Sequence, residues 1–541
     1  MGQGDLDQET TQRLSLTARV RQIVQPSREG MAARSLAESS AHVFLGNVLF
    51  VILGTAQVMV VGAVFGTSRE YELFLLAWMV PELCLFGLGN VLSMHLIPVL
   101  LEIRSRQGER ELREAGRAVS THLSLLLIVA CGVAYLTAPA LLDLVTGEVS
   151  GAELEATVAM FRALLVPAFG FALVKHFGLL HRASHSLGLP ALVQALSPLA
   201  VIALVFLAPQ WGVRALVVAY GCGALAQLLL LLPAPLSWGT FGARSGLHPA
   251  VTSLFASAAP LLVITSGFRL MLLLDRVSAA SLAPGDVAVL RYALFFLMGV
   301  QSLLAMPLIS VGFNRLSHLA STDDRSAGGG GAVERTTLLM VEALWCLVLP
   351  LACVLVAVPD DLVQLVLGRR AFGPEAIART GAALALYAAM LPFLAGYMVA
   401  EKAFLSRREY RYLLACALVF PLLNLALNEV LGRRLGVSGV ALATTVAMAL
   451  WFLALLCRLL GRAPVAERVQ LARSLLTTTA IAVVTLVTVR GLGAGLALGW
   501  LARLAVMAGA TLALYAALAW LVQRRRLAVL YRTLTETRVG M

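Results

Sequence analysis

Charge is what this sequence has least of. Asp, Glu, Lys and Arg make up 13% of its 541 residues, about half the share of a water-soluble globular chain. Lysine is nearly absent, with Lys175 and Lys402 the only two, so arginine supplies almost all the positive charge. These shortages exclude a soluble enzyme, a secreted scaffold and a disordered tail. The seven cysteines (Cys84, Cys131, Cys222, Cys346, Cys353, Cys416 and Cys457) sit in apolar runs without CxxC spacing, which predicts buried free thiols rather than redox or metal work. There is no Walker-type phosphate loop and no HExxH pair, so a motor ATPase and a membrane metalloprotease lose their signatures. No loop is long enough to be a catalytic domain. The sequence predicts no catalytic residue, no metal site and no cofactor.

Apolar residues fill the gap, at 59% of the chain and a mean hydropathy of +0.86. A membrane span needs about 20 apolar residues, and by that measure fourteen helices follow one another from Ala41 to Val522. The second (Glu72–Leu101), eighth (Val287–Leu316) and tenth (Ala376–Leu405) are long enough to tilt. The seventh reads as Pro249–Leu274 and the third begins at Ala118. Polar breaks at Ser237–His248 and Arg462–Arg468 divide the chain. The expected domains are a tail at 1–40, an N-lobe of six helices at 41–236, a C-lobe of six at 249–460, a terminal helix pair at 469–522 and a basic tail at 523–541. The fold class is therefore an all-α polytopic membrane protein with two six-helix lobes around a central cavity, as transporters built from repeats commonly are. Gly328–Gly331 reads as a flexible linker.

The formal charge of +12 does not point to nucleic acid, because the basic residues cluster in short loops beside apolar runs. About 28 Lys and Arg fall on the side of the two termini against about 8 on the other, which predicts cytoplasmic termini. Arg104, Arg106, Arg110, Arg113 and Arg117 share one such loop, and Arg524, Arg525 and Arg526 close the last helix. The first 40 residues are polar, with no apolar core of a secretory signal.

A charge inside a span costs about 2.5–3.5 kcal/mol on insertion scales, so those that persist face water or a partner. Glu82 lies about ten residues into helix two, sharing a face with Phe86, Gly89 and Ser93. It reads either as a cavity carboxylate or as half of an interhelical ion pair. Helix four carries Arg162, Lys175, His176 and His181. Arg162 is a candidate anion contact and shares a face with His176, whereas Lys175 points elsewhere and either joins the cavity or snorkels. Arg269 and Arg291 flank a hairpin that holds Asp275, Arg276 and Asp286. The two arginines suit phosphate through their planar forks, or pair within the hairpin. Asn424 and Asn428, one turn apart on helix eleven, could form a small oxygen site for a monovalent cation with Thr444 of helix twelve. Intramembrane amides also serve simply as interhelical glue.

Several of these segments together resemble the MurJ/MviN-like lipid II flippases of the multidrug/oligosaccharidyl-lipid/polysaccharide exporter superfamily. The clearest runs from Leu272 to Ala293, LLLDRVSAASLAPGDVAVLRYA, followed by Arg315-Leu316-Ser317. The helix one–two junction is similar, with Phe65-Gly66, Glu72 where the family usually has Asp, Phe74, Pro81 and Pro98. Pro190-Ala191, Pro198, Phe372, Thr380, Tyr387, Ala403-Phe404 and GVSGVALATT from Gly436 to Thr445 add to the likeness, which spans helices one to twelve.

The resemblance implies a fourteen-helix flippase, and the departures from it bear on substrate. The family's helix-one arginines fall on Val51 and Gln57, its helix-two pair near Leu85 and Phe86, and its helix-eight arginine on Phe295. The family's cationic cavity is thus missing at its usual positions, and Arg162, Arg269 and Arg291 are candidate replacements. Asn424, Asn428, Val440 and Thr444 match the spacing of the family's sodium site with its Asp replaced by Asn.

The resulting expectation is a flippase that moves a polyprenyl-(pyro)phosphate-linked oligosaccharide, lipid II or another envelope precursor, from the cytoplasmic to the outer leaflet by alternating access. Glu82, Arg162, Lys175, Arg269 and Arg291 would bind substrate; Asn424, Asn428 and Thr444 would bind the cation. Coupling to Na+, H+ or the membrane potential is expected. So is a monomer in a bacterial inner membrane, alongside cell-envelope glycan polymerases. The alternatives are a non-transporting scaffold of a cell-envelope complex and a small-molecule exporter of the same superfamily.

Overall fold

The computed structural model describes residues 28–146, 149, 151–183, 188–232, 249–309, 312, 316, 319, 332–493 and 498–536. It gives backbone alone at 28–41, 83–95, 97–98, 183, 249–260, 332, 525 and 527–536. All its regular elements are helical: α1 (Arg28–Phe65), α2 (Arg69–Thr146), α3 (Ala152–Ala183), α4 (Gly188–Leu207), α5 (Arg214–Leu231), α6 (Pro249–Ala280), α7 (Asp286–Ile309), α8 (Ala332–Ala357), α9 (Pro359–Leu367), α10 (Pro374–Ala388), α11 (Leu391–Ser406), α12 (Tyr410–Leu435), α13 (Val437–Leu460), α14 (Val465–Gly493) and α15 (Trp500–Glu536). Eleven helices among the described residues are long and apolar enough to cross a membrane, or twelve when the bent pair α10–α11 counts as one span.

Four expected boundaries change. The basic stretch around Arg104–Arg117 is helical on both sides of Gly108, where φ 87° and ψ −177° break α2 into two limbs; glycine alone adopts such angles at little cost. The expected tenth span is not one helix. It bends by 45° between Ala388 and Leu391, where Pro392 opens the second part and supplies no backbone donor to the turn before it. Helix seven does not stop at Leu274 but runs to Ala280, so Asp275 and Arg276 lie inside α6 rather than in a loop. The chain is helical from Arg28 and up to Glu536, so both expected tails are partly helix. The break at 237–248, the glycine run at 328–331 and the extreme ends fall outside the described residues.

Packing follows the apolar faces. Limbs of α2 pack on α3, α3 on α5, and α4 on both α1 and α5; α12 packs on α6 and α13, α8 on α11, and α10 on α7 and α13. The broad contact of α2 with α6 joins these two sets, and α14 and α15 pack on each other and on α8. Outward-facing leucines such as Leu144 (79% exposed) and Leu136 (76%) would be an aggregation hazard in water, whereas lipid solvates them.

Candidate functional site: a charged chamber between α2, α6, α7 and α11

On α6, Phe268, Arg269, Leu272, Leu273 and Arg276 recur at helical spacing and line one wall of a chamber of about 600 Å³. Arg269 and Arg276 are seven residues apart, two turns, so they share a face. Arg291 and Gln301 of α7 and Glu401 and Lys402 of α11 add to the wall, and Glu82 of α2 faces them. The chamber thus carries four cations and two carboxylates on a largely apolar lining. Arg276 donates to Glu82 across it, Nη1 to Oε2 at 3.0 Å. Arg269 and Arg291 also lie within coulombic range of Glu82. Lys402 pairs with Glu401 at 3.2 Å, and Glu401 accepts a hydrogen bond from the Tyr397 hydroxyl. Gln301 begins a single π-helical turn, Gln301–Ala305, an irregularity frequent at functional sites.

Behind this wall lies a second polar cluster. Asp275 is fully buried and turned about 100° from Arg276. Its Oδ1 accepts from Asn424 Nδ2 at 2.7 Å and Asn428 Nδ2 at 3.0 Å. Its Oδ2 accepts from the Thr444 hydroxyl at 2.7 Å and from the Tyr387 hydroxyl at 3.1 Å. Among the described residues no cation pairs with it. The side-chain oxygens of Asn424 and Asn428 are buried without a hydrogen-bond partner. One carboxylate, two spare amide oxygens and a hydroxyl are hard oxygen donors of the kind that hold a small cation, so the residues fit such a group. The sequence singled out Asn424, Asn428 and Thr444 but missed Asp275 and Tyr387, because Asp275 beside Arg276 reads as the end of a helix.

On the same limb of α2, beyond the chamber, lies the turn from α1 into α2. Glu72 is fully buried there and caps the start of α7, accepting from the backbone N–H of Gly285 at 3.0 Å and of Val287 at 3.2 Å. A carboxylate at a helix N-terminus satisfies orphan donors and meets the positive end of the dipole. Arg69 pairs with the same carboxylate at 2.8 Å. The Tyr292 hydroxyl donates to Gly66 O at 3.1 Å, and Ala371 N to Ala63 O at 3.2 Å. Two glycines permit this approach. A Cβ on Gly285 (φ 89°) would sit 2.5 Å from Thr67 O, and one on Gly66 (φ 54°) 2.5 Å from Ala371 O. Phe65, Tyr71 and Tyr292 stack through the junction at centroid distances of 5.8–6.0 Å, and Phe372 meets Tyr292 edge-on at 5.2 Å. Against this stack is a small aromatic hollow lined by Gln57, Trp78, Tyr220 and Phe295, and Arg291 borders both it and the chamber.

The model of the family described as lipid II flippase MurJ matches residues 61–517 of this chain, and 61–517 includes the chamber, the Asp275 cluster and the Glu72 junction. The chain belongs to the lipid II flippase MurJ family. A probable lipid II flippase MurJ of Bdellovibrio bacteriovorus is 26% identical over 73% of this chain and 76% of its own length. The match to a probable lipid II flippase MurJ of Thermotoga maritima, 27% identical, spans 52% of this chain and about half (55%) of that relative. Among solved structures, a lipid II flippase MurJ in an inward closed conformation superposes with a TM-score of 0.72 at 16% identity, covering 91% of this chain and 100% of that one. An inward-facing multidrug resistance MATE transporter of the MOP superfamily gives 0.59 at 14% identity, over 79% and 95%. These structures share the fold.

Within this MurJ-family chain, the chamber gathers three of the five sequence-predicted substrate residues, Glu82, Arg269 and Arg291, and adds Arg276, Glu401 and Lys402. Two do not reach it. Arg162 lies over the ring of Tyr135, 4.6 Å from its centroid, and donates to Tyr135 O at 3.2 Å; the aromatic face and carbonyl replace water for a cation on the outer surface. Lys175 does not line the chamber either, although it lies within coulombic range of Arg269 and Arg182. His176, expected on the Arg162 face, is instead buried against the Ser120 hydroxyl at 2.7 Å. The side chains of Leu85, Phe86, Gly89 and Ser93 fall outside the described residues, as does that of Cys84. The other six cysteines are free, but only Cys353 and Cys416 are buried as expected, and Cys222 and Cys457 are exposed on their helices. Gln57 and Phe295, where the resemblance puts two MurJ-family arginines, line the hollow that Arg291 borders.

Proposed function

We propose that this chain is a flippase for a polyprenyl-diphosphate-linked glycan, lipid II or a related envelope precursor, and that the chamber is the hydrated route for its head group. The observation that carries this is the ring of Arg269, Arg276, Arg291 and Lys402 around one 600 Å³ space, with Arg291 at the edge of the hollow where the family's own arginines would stand. Guanidinium forks match phosphate oxygens, and the apolar remainder of the lining tolerates the start of a lipid tail. The chain transports without chemistry; its polar groups bind and release.

Fourteen spans are the natural reading: the first limb of α2 and helix α6 join the twelve counted by length and hydropathy. α1–α5 form an N-lobe, α6–α13 a C-lobe, and α14–α15 a flanking pair. Both termini are cytoplasmic and the membrane is the bacterial inner one, so the Glu72 junction is the outer gate, closed here. Substrate enters the chamber from the cytoplasmic side, and its differential affinity for the two arrangements of the lobes drives alternation. The Asp275 cluster takes a monovalent cation, Na+ or H+, that couples the cycle to the membrane gradient. The protein works as a monomer supplying glycan polymerases outside.

The test is reconstitution in liposomes with lipid II and other polyprenyl-diphosphate glycans, scoring exposure in the outer leaflet. Arg291→Ala is expected to slow flipping by roughly tenfold or more, the effect of losing one charge-assisted contact, whereas Arg162→Ala leaves the rate unchanged. Equal rates for wild type and protein-free liposomes with every glycan would refute transport and favour the scaffold.

A further inference from the structure

Glu82 and Arg276 belong to different lobes. Glu82 is on α2 and Arg276 on α6, and their ion pair crosses the chamber at 3.0 Å. The pair is unevenly satisfied. Arg276 is 8% exposed, yet its Nε is buried with no hydrogen-bond partner, so only part of the guanidinium fork is used. The Glu82 side chain, by contrast, is 37% exposed toward the cavity. Two more cations, Arg269 and Arg291, lie within coulombic range of the same carboxylate. One monovalent anion therefore sits amid three guanidinium groups, at a point where a more highly charged anion with more acceptor oxygens would be held better.

We infer that Glu82 is an internal stand-in for the substrate's diphosphate, and that the arriving diphosphate takes Arg276 from it and so releases an inter-lobe tie. This rests on the flippase reading and names how that site is regulated. With Arg276 free of substrate, the Glu82 tie and the Glu72 cap both fasten α2 to the C-lobe, and the outer gate stays shut. A diphosphate presents oxygens to Nε and Nη together, which a carboxylate bound through one oxygen does not. Glu82 then turns into the aqueous chamber, which its exposure permits, and the Glu72 contact alone closes the gate. Lobe opening is thereby conditional on a loaded chamber. Glu82 is a positioning residue: it touches Arg276, not the substrate.

The experiment uses the full chain in nanodiscs, with farnesyl diphosphate as the probe. Spin labels are placed at Arg214→Cys and Glu375→Cys, exposed positions near the gate on α5 and α10, after alanine replacement of the native cysteines. Wild type is expected to show one short separation that lengthens when probe is added. Glu82→Gln should show the longer separation without probe and bind the probe about five- to tenfold more tightly, since its competitor is gone. Arg276→Gln should also lengthen without probe but bind about tenfold more weakly. That opposite change in affinity is one a merely structural glutamate would not produce. A Glu82→Gln protein with the wild-type separation, or with weakened binding, overturns the inference while wild-type binding leaves the substrate reading intact. If wild type binds no farnesyl diphosphate at all, the substrate reading fails and this one falls with it.

Discussion

Asp275 has four uncharged hydrogen-bond donors and no cationic partner among the described residues. Burying a lone charge is costly, so such a carboxylate calls for either a cation or a proton. A sodium ion set between Asp275, Asn424, Asn428 and Thr444 would take up the two spare amide oxygens once the amides turn over, an orientation fixed only by the bonds assigned to them. Sodium is thus expected to raise the unfolding temperature of the wild type relative to choline, and Asp275→Ala to abolish that response. Asn428→Asp adds a second carboxylate and should lower the half-effective sodium concentration by roughly tenfold, about 1.4 kcal/mol. Unfolding of the wild type at one temperature in both salts would sink the cation assignment. The sequence showed Asn424, Asn428 and Thr444 because helical spacing puts the amides on one face. It hid Asp275, since a carboxylate inside a span looks like the start of a loop until its partners on three other helices are seen. Arg162 lies away from the chamber for the converse reason: spacing gives depth along a helix, but which way the side chain faces depends on neighbours such as Tyr135.

At the level of elements, the start of α7 depends on a carboxylate from another helix. Glu72→Ala strips the cap from Gly285 and Val287, a loss of about 1–3 kcal/mol for buried donors left unpaired, and Gly285→Ala drives a methyl into Thr67 O. Both substitutions should open the outer gate, seen as faster reaction of a membrane-impermeant thiol reagent with Thr67→Cys; rates unchanged from the parent would contradict the gate. A second fastening lies at the opposite ends of the helices, where Glu409 before α12 accepts from Arg458 at 3.1 Å and from Arg462. Burial alone would raise the Glu409 pKa, but the hydrogen bonds from Arg462 and Arg458 prevail and hold it below its ordinary 4.5. A depressed carboxylate stabilises the fold above its unfolded pKa, and that contribution fades as pH falls below 4.5 through the folded value. Acid unfolding in detergent should accordingly be shallower below pH 4.5 for Glu409→Gln; parallel pH profiles would argue against the pairing. The long apolar helices were legible from hydropathy, whereas the short α9 and the helical stretches at 28–40, 104–117 and 523–536 were not. Nor were the breaks at Gly108 and Pro392, because a single residue sets each one and the composition around it does not change.

For the molecule as a whole, low charge and long apolar runs announced a membrane transporter, and a constellation of short segments announced its family. What the sequence did not disclose was which charges meet. Glu82, Arg269 and Arg291 share one chamber because α2, α6 and α7 converge, and Arg276 and Lys402, which the sequence did not single out as substrate residues, join them. Gln57 and Phe295 line the aromatic hollow, and Arg291 is the cation that borders both the hollow and the chamber. The first limb of α2 carries both Glu72 and Glu82, ten residues and about 15 Å apart along its axis and roughly 80° apart around it. A rod gripped at two such points behaves as a swivel: turning it enough to slacken one grip must drag the other sideways, so the α1–α2 turn and the middle of the passage are geared together by a single helix.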